Sequence, residues 1–136
     1  RPAPENTRYI FVRTDLDNFE IPASVEYLSH CSYATTLMRR GVVLSTCEHL
    51  LSALRGVGVD NCFIDLDNIE IPIMDGSSED FIDLISAAGI QIQEAPQHVL
   101  RILKLVEYEQ GDRMIETAYP DNGTSPFSII FRYLSP

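Results

Sequence analysis

The run Leu44-Ser45-Thr46-Cys47-Glu48-His49-Leu50-Leu51-Ser52-Ala53-Leu54 decides how this 136-residue chain is read. Ser45-Thr46-Cys47-Glu48 fits a capping box, a hydroxyl residue followed three positions later by Glu. Leu50, Leu51, Leu54 and Val57 then recur at helical spacing, which predicts an amphipathic helix with its apolar side on a sheet. Gly56 and Gly58 are its stop signals. A carboxylate and an imidazole, Glu48 and His49, stand side by side in the first turn.

Upstream, Ser32 to Leu37 and Val42 to Ser45 flank Met38-Arg39-Arg40-Gly41, the pattern of a hairpin turning at Gly41. Tyr9 to Arg13 is a β-rich run, and Asp15-Leu16-Asp17-Asn18 is a turn. Ser24 to Leu28 reads as extended, with Pro22 marking an edge or a strand start. Downstream, Asn61 to Asp67 alternates, Cys62, Ile64 and Leu66 pointing one way and Phe63, Asp65 and Asp67 the other. Ile69 to Met74 is apolar but carries Pro72, so it reads as an edge or irregular strand. Asp75-Gly76-Ser77-Ser78 leads into a second helix, with Ser77 as its cap and Glu79 and Asp80 at the positive end of the dipole. Phe81, Ile82, Leu84, Ile85 and Ala88 form its apolar stripe, and Gly89 ends it.

These elements predict an α+β fold. Residues 1–93 make a two-layer sandwich of a mixed sheet on two helices, and 94–97 are a linker. Residues 98–136 hold three strand-like segments, His98 to Glu109, Arg113 to Tyr119 and Phe127 to Tyr133. Gln110-Gly111-Asp112 and Asp121-Asn122-Gly123 are the turns between them. A three-stranded meander with a bare face is marginal alone, so this part reads as an incomplete second domain. The opening Arg1-Pro2-Ala3-Pro4 lacks an initiator methionine and reads as that of an excised or processed fragment.

Charge and cysteines narrow the function. Ten basic residues against twenty acidic ones give a net charge of -10, which argues against a nucleic-acid surface. Cys31, Cys47 and Cys62 are odd in number and far apart, as in a reducing compartment, and no CxxC pair suggests a zinc knuckle. There is no signal-peptide pattern and no apolar run long enough to span a bilayer. A cytoplasmic protein without stable membrane insertion is expected.

The Glu48–His49 pair has two readings. In one, His49 is a hydrogen-bonded histidine and Glu48 closes the capping box. In the other, His49 is a zinc ligand with Glu48 beside a metal-bound water. Spacing alone favours the cap for Glu48. Two ligands on one helical face need a separation of three or four, yet the positions four away from His49 are Ser45 and Ala53. Nothing in their spacing forces His30 or His98 to join His49, and Cys47, two residues before it, reads as packed. The helix therefore offers one ligand, where a catalytic zinc takes three. Gly56-Val57-Gly58 precedes a strand and is no phosphate loop. Asp75-Gly76-Ser77-Ser78 suits an anion at a helix N-terminus, but a plain structural turn is the simpler reading. The G-x-S-x-G, H-x-E and CxxC signatures are missing.

Residues 44–61, from Leu44-Ser45-Thr46-Cys47-Glu48-His49 to Val59-Asp60-Asn61, and Glu70-Ile71-Pro72-Ile73-Met74-Asp75-Gly76-Ser77-Ser78 carry a family resemblance. They resemble the zinc-dependent UDP-3-O-acyl-N-acetylglucosamine deacetylases of lipid A synthesis, which have relatives in plant organelles. Arg1 to Thr7, Arg13 to Leu16, Tyr33 to Leu37 and Glu109-Gln110-Gly111-Asp112 fit as well, so the similarity spans essentially the whole chain. It implies that Glu48 is the general base and His49 the first ligand of a Zn2+ ion. The implied reaction hydrolyses the 2-acetamido group of UDP-3-O-acyl-N-acetylglucosamine. Zinc and Glu48 activate a water, zinc and neighbouring donors hold the oxyanion, and an acid protonates the leaving amine.

The departures are specific. Cys47 stands where the family usually has Val. The family's H-x-x-x-D ligands, its later catalytic histidine and its acyl passage belong to a second domain not contained here, and the family's first strands are absent. The isolated chain is therefore expected to bind zinc weakly and not to deacetylate. The complete enzyme is expected to be a cytoplasmic monomer, or organellar if the source is a plant. Two rival readings stand beside this one: a non-catalytic binding module on the same scaffold, and a plain α+β domain in which Glu48 is only a cap.

Overall fold

The computed structural model describes residues 1–97, 105–118 and 128–133. The chain divides into two units, Arg1–Gln97 and His98–Pro136. The first unit contains β1 (Tyr9–Arg13), β2 (Phe19–Pro22), β3 (Leu28–His30), β4 (Thr36–Arg39), β5 (Val42–Leu44), α1 (Glu48–Gly56), β6 (Cys62–Leu66) and α2 (Glu79–Ala88). The α+β class is as expected, but the strands form two three-stranded sheets rather than one. The sheet ordered β2-β1-β6 is mixed, with β2 antiparallel and β6 parallel to β1. A parallel pair needs a long crossover, and here it contains the antiparallel sheet β3-β4-β5 and helix α1.

The two sheets meet the helices at one core. Phe11, Ile21, Leu37, Leu44, Cys47 and Ile71 are buried together, with Leu50 and Leu51 of α1, Ile64 and Leu66 of β6 and Phe81 of α2 packed against them. Phe11, on the middle strand of the mixed sheet, is fully buried; such a side chain contributes about 2–3 kcal/mol by burial. Beside it on β1, the buried Arg13 guanidinium donates to both carboxylate oxygens of Asp15, at 2.8 and 2.6 Å. That paired contact holds the Asp15 carboxyl below its ordinary range.

Local backbone rules explain the turns. The hairpin joining β4 to β5 closes through Arg40 and Gly41, at φ 50° and 82°, the pair of positive values that a tight two-residue turn requires. Pro22 lies on edge strand β2, where its missing N–H does no harm. The stretch Ser24 to Leu28 is not simply extended: Val25–Tyr27 form a 3-10 turn, and the Ser24 hydroxyl accepts from the Glu26 N–H. In α2 the apolar stripe is narrower than the spacing suggested, because Leu84 and Ala88 are exposed. The segment 94–97 is tied to the first unit, with the Glu94 and Ala95 N–H groups on Glu5 and Gln97 on Asp60.

The expected capping box does not form. The cap position of α1 is Cys47, without a side-chain cap bond, and the Ser45 hydroxyl pairs with that of Thr36 at 3.2 Å. The reason is a kink just before the helix. Thr46 adopts φ 61°, a left-handed conformation that costs a β-branched residue about 1–2 kcal/mol. The kink is held by a short ladder to residues 69–71. Ser45 N–H donates to the Ile69 carbonyl at 2.8 Å and Ile71 N–H to the Ser45 carbonyl at 3.1 Å. The buried Thr46 hydroxyl donates to Glu70 Oε1 at 2.8 Å. Residues 69–74 thus make one bridge to Ser45 and no named strand.

In the second unit β7 (Val106–Gln110), β8 (Arg113–Ala118) and β9 (Ser128–Tyr133) pair antiparallel in that order. Gly111, at φ 64°, opens the β7–β8 turn. The expected turn at Asp121-Asn122-Gly123 and the start of the first segment, from His98, lie outside the described residues.

Two predictions follow from these contacts. Replacing Thr46 by Val or Gly removes the bond to Glu70 in both cases, but only Gly relieves the backbone. Thr46→Val should cost about 1 kcal/mol in urea unfolding, and Thr46→Gly should be no less stable than Thr46→Val. Asp15 has a depressed folded pKa, so its stabilisation is full above the unfolded carboxylate value near 4 and is lost as pH falls through the lower folded one. The deficit of Asp15→Asn against wild type should therefore be largest near neutral pH and shrink in acid, as followed by thermal melts across that range.

Candidate active site

The kink at Thr46 turns the chain out of β5 and into α1, so Glu48 and His49 stand at the start of the helix immediately after the buried Cys47. Both are half-buried. Glu48 does not fold back on its own helix. Its Oε2 accepts the Thr35 backbone N–H at 3.0 Å, while Oε1 has no hydrogen-bond partner among the described residues. The Thr35 carbonyl in turn accepts from Cys47, from its N–H at 3.5 Å and its Sγ at 3.4 Å. Thr35 directly precedes β4, the middle strand of its sheet, so the donor is set on a firm element.

His49 is held through its backbone. Its carbonyl accepts from the Ser78 hydroxyl at 3.0 Å, which joins the start of α2 to the first turn of α1. Ser77, the expected cap, does accept the Glu79 N–H at 3.1 Å, although the cap position itself falls at Ser78. Asp75 closes the loop before α2, accepting the Ser77 N–H and hydroxyl, each at 2.8 Å. These bonds hold the Asp75 carboxyl below its ordinary range, with a smaller electrostatic contribution from His49. No described group hydrogen-bonds the His49 ring, which leaves its nitrogens open as donors to a ligand.

The other candidates fall away from this point. Cys47 is fully buried, and burial first, then the charge of Glu48, pushes its thiol up to about 11. Such a thiol stays protonated near neutrality, and its side chain is packed into the core cluster. His30 is exposed on β3, and His98 lies outside the described residues. Among the described residues no three His, Cys, Asp or Glu side chains gather as a metal site. A three-donor zinc centre is therefore not completed by these residues, which offer the single nitrogen donor of His49 beside a fixed carboxylate.

Three participants were not legible from residue types. Thr35 acts through its amide and has no side-chain signature. Ser78 and the Thr46–Glu70 pair belong to the two long motifs, but which atoms they hold depends on how the motifs pair.

The chain matches the family model described as UDP-3-O-acyl N-acetylglycosamine deacetylase over residues 1–134. It is 51% identical over 132 residues to the UDP-3-O-acyl-N-acetylglucosamine deacetylase of Coxiella burnetii (strain Dugway 5J108-111), covering 96% of this chain and 42% of that protein. The proteins of the same name from Solibacter usitatus and Hahella chejuensis are 47% and 45% identical, over 84% and 96% of this chain. The chain spans 39% and 44% of their respective lengths. With a match across nearly its whole length, the chain belongs to the UDP-3-O-acyl-N-acetylglucosamine deacetylase family.

Proposed function

We propose that this chain forms part of an enzyme that hydrolyses the acetamido group of UDP-3-O-acyl-N-acetylglucosamine in lipid A synthesis, with Glu48 as general base and His49 as one ligand of a catalytic zinc ion. The observation that carries this is the Glu48 carboxylate: turned off its own helix and fixed through Oε2 by Thr35, with no partner for Oε1 or for the neighbouring His49 ring among the described residues. A carboxylate serving only as a helix cap would be bonded to its own helix start, and this one is not.

In the reaction, the amide carbonyl carbon gains a bond to the attacking water oxygen and then loses its bond to nitrogen as an acid gives that nitrogen a proton, yielding acetate and a free amine. Glu48 Oε1 takes the proton that the water gives up. Such a base acts best when its position is preset, and the Thr35 amide does this before any substrate arrives. A catalytic zinc, when bound, supplies Lewis-acid polarisation of a carbonyl or water oxygen. Its remaining donors would come from residues outside the described set. The reading also places the enzyme in the cytoplasm as a monomer. No helix among the described residues is long and apolar enough to cross a membrane.

Two outcomes test the assignment. In the longest reading frame containing this chain, Glu48→Gln should lower kcat by about 10²–10⁴-fold with KM nearly unchanged. A loss of less than about tenfold would remove Glu48 from the base role. In zinc calorimetry, residues 1–136 alone should bind weakly, whereas the longer protein should bind one zinc tightly and lose that binding in His49→Ala. Tight one-to-one binding by residues 1–136 would contradict the shared-site assignment.

A further inference from the structure

We infer that the backbone amide of Thr35 is a positioning group for catalysis: it selects which oxygen of Glu48 faces the reaction. The inference rests on the general-base reading of Glu48.

The argument is geometric. Residue 35 is bonded to two consecutive residues of the helix start: it donates its N–H to Glu48 Oε2 and receives both the N–H and the Sγ of Cys47 on its carbonyl. A neighbouring contact, Thr36 Oγ1 with Ser45 Oγ at 3.2 Å, runs between the same two segments. Cys47 is anchored in the core and Thr36 is buried on β4, so neither partner of the Thr35 peptide is free to drift. The Glu48 side chain itself is long and half-exposed, and its χ torsions alone would leave it several staggered positions. One directed N–H removes that freedom and occupies one lone pair of Oε2, so Oε1, without a partner among the described residues, is the more available oxygen to accept a proton from a water. The hairpin sheet thus sets the base as well as supporting the helix.

The test deletes the N–H while keeping the Thr35 side chain in the ester variant. Thr35 is replaced by its α-hydroxy acid in the full-length enzyme, turning the 34–35 amide into an ester, with Thr35→Pro as a second, genetically encoded loss of the same donor. Each is measured in the wild-type and the Glu48→Gln backgrounds. The expected result is a fall in kcat of about tenfold or more with KM within about twofold and zinc content unchanged, and no further fall when Glu48 is already Gln. An ester enzyme that keeps wild-type kcat while Glu48→Gln is inactive overturns the inference and leaves the base assignment standing. So does an ester effect of equal size in both backgrounds, which means that the amide acts through something other than Glu48. Full activity in Glu48→Gln instead removes the base reading itself, and the inference with it. If Thr35→Pro does not fold, the ester variant alone decides.

Discussion

The left-handed kink at Thr46 is the constraint on which the rest depends. It redirects the chain leaving β5 into the start of α1. The kink is costly for a β-branched residue, and it persists because its neighbours hold it from several sides. Ser45 is laced to residues 69 and 71, and the Thr46 hydroxyl reaches Glu70. That ladder fastens the strand-to-helix corner to the segment leading into α2. Ser78 at the start of α2 then reaches back to the His49 carbonyl. The two sequence motifs, 44–61 and 70–78, therefore share one structural job, fixing a single helical turn.

Much of this was legible in residue patterns. The spacing of Leu50, Leu51 and Leu54 located α1, and the alternation through Cys62, Ile64 and Leu66 located β6. The hairpin before α1 follows from a turn that needs positive φ, with Gly41 placed to supply it. The capping box was the misreading. Ser45 and Glu48 have the right spacing, but that pattern assumes helical entry from an ordinary extended residue. Thr46 instead turns left-handed, Ser45 pairs with Thr36, and Glu48 is released to Thr35. A local pattern lost to long-range contacts that no window of sequence contains. The single mixed sheet divided for a related reason: strand propensity does not say which strands pair. The 3-10 turn at 25–27 shows the reverse case, where a single hydroxyl, that of Ser24, outweighs an extended tendency.

The first turn of α1 is held from two sides. Glu48 is pre-set by an amide that precedes the middle strand of its sheet, and His49 is anchored by its carbonyl, with no described group on its ring. Cys47, directly before Glu48, is fully buried in the core, and that burial pushes its thiol up.

The central claim is that Glu48 is held by the strand-side Thr35 amide and not by its own helix. Amide hydrogen exchange at Thr35, compared between wild type and Glu48→Ala, reads this directly. The account predicts a Thr35 amide that exchanges slowly in the wild type and loses about tenfold or more of its protection in the variant, while the paired amides of β4 keep theirs. Equal exchange at Thr35 in the two proteins would contradict it.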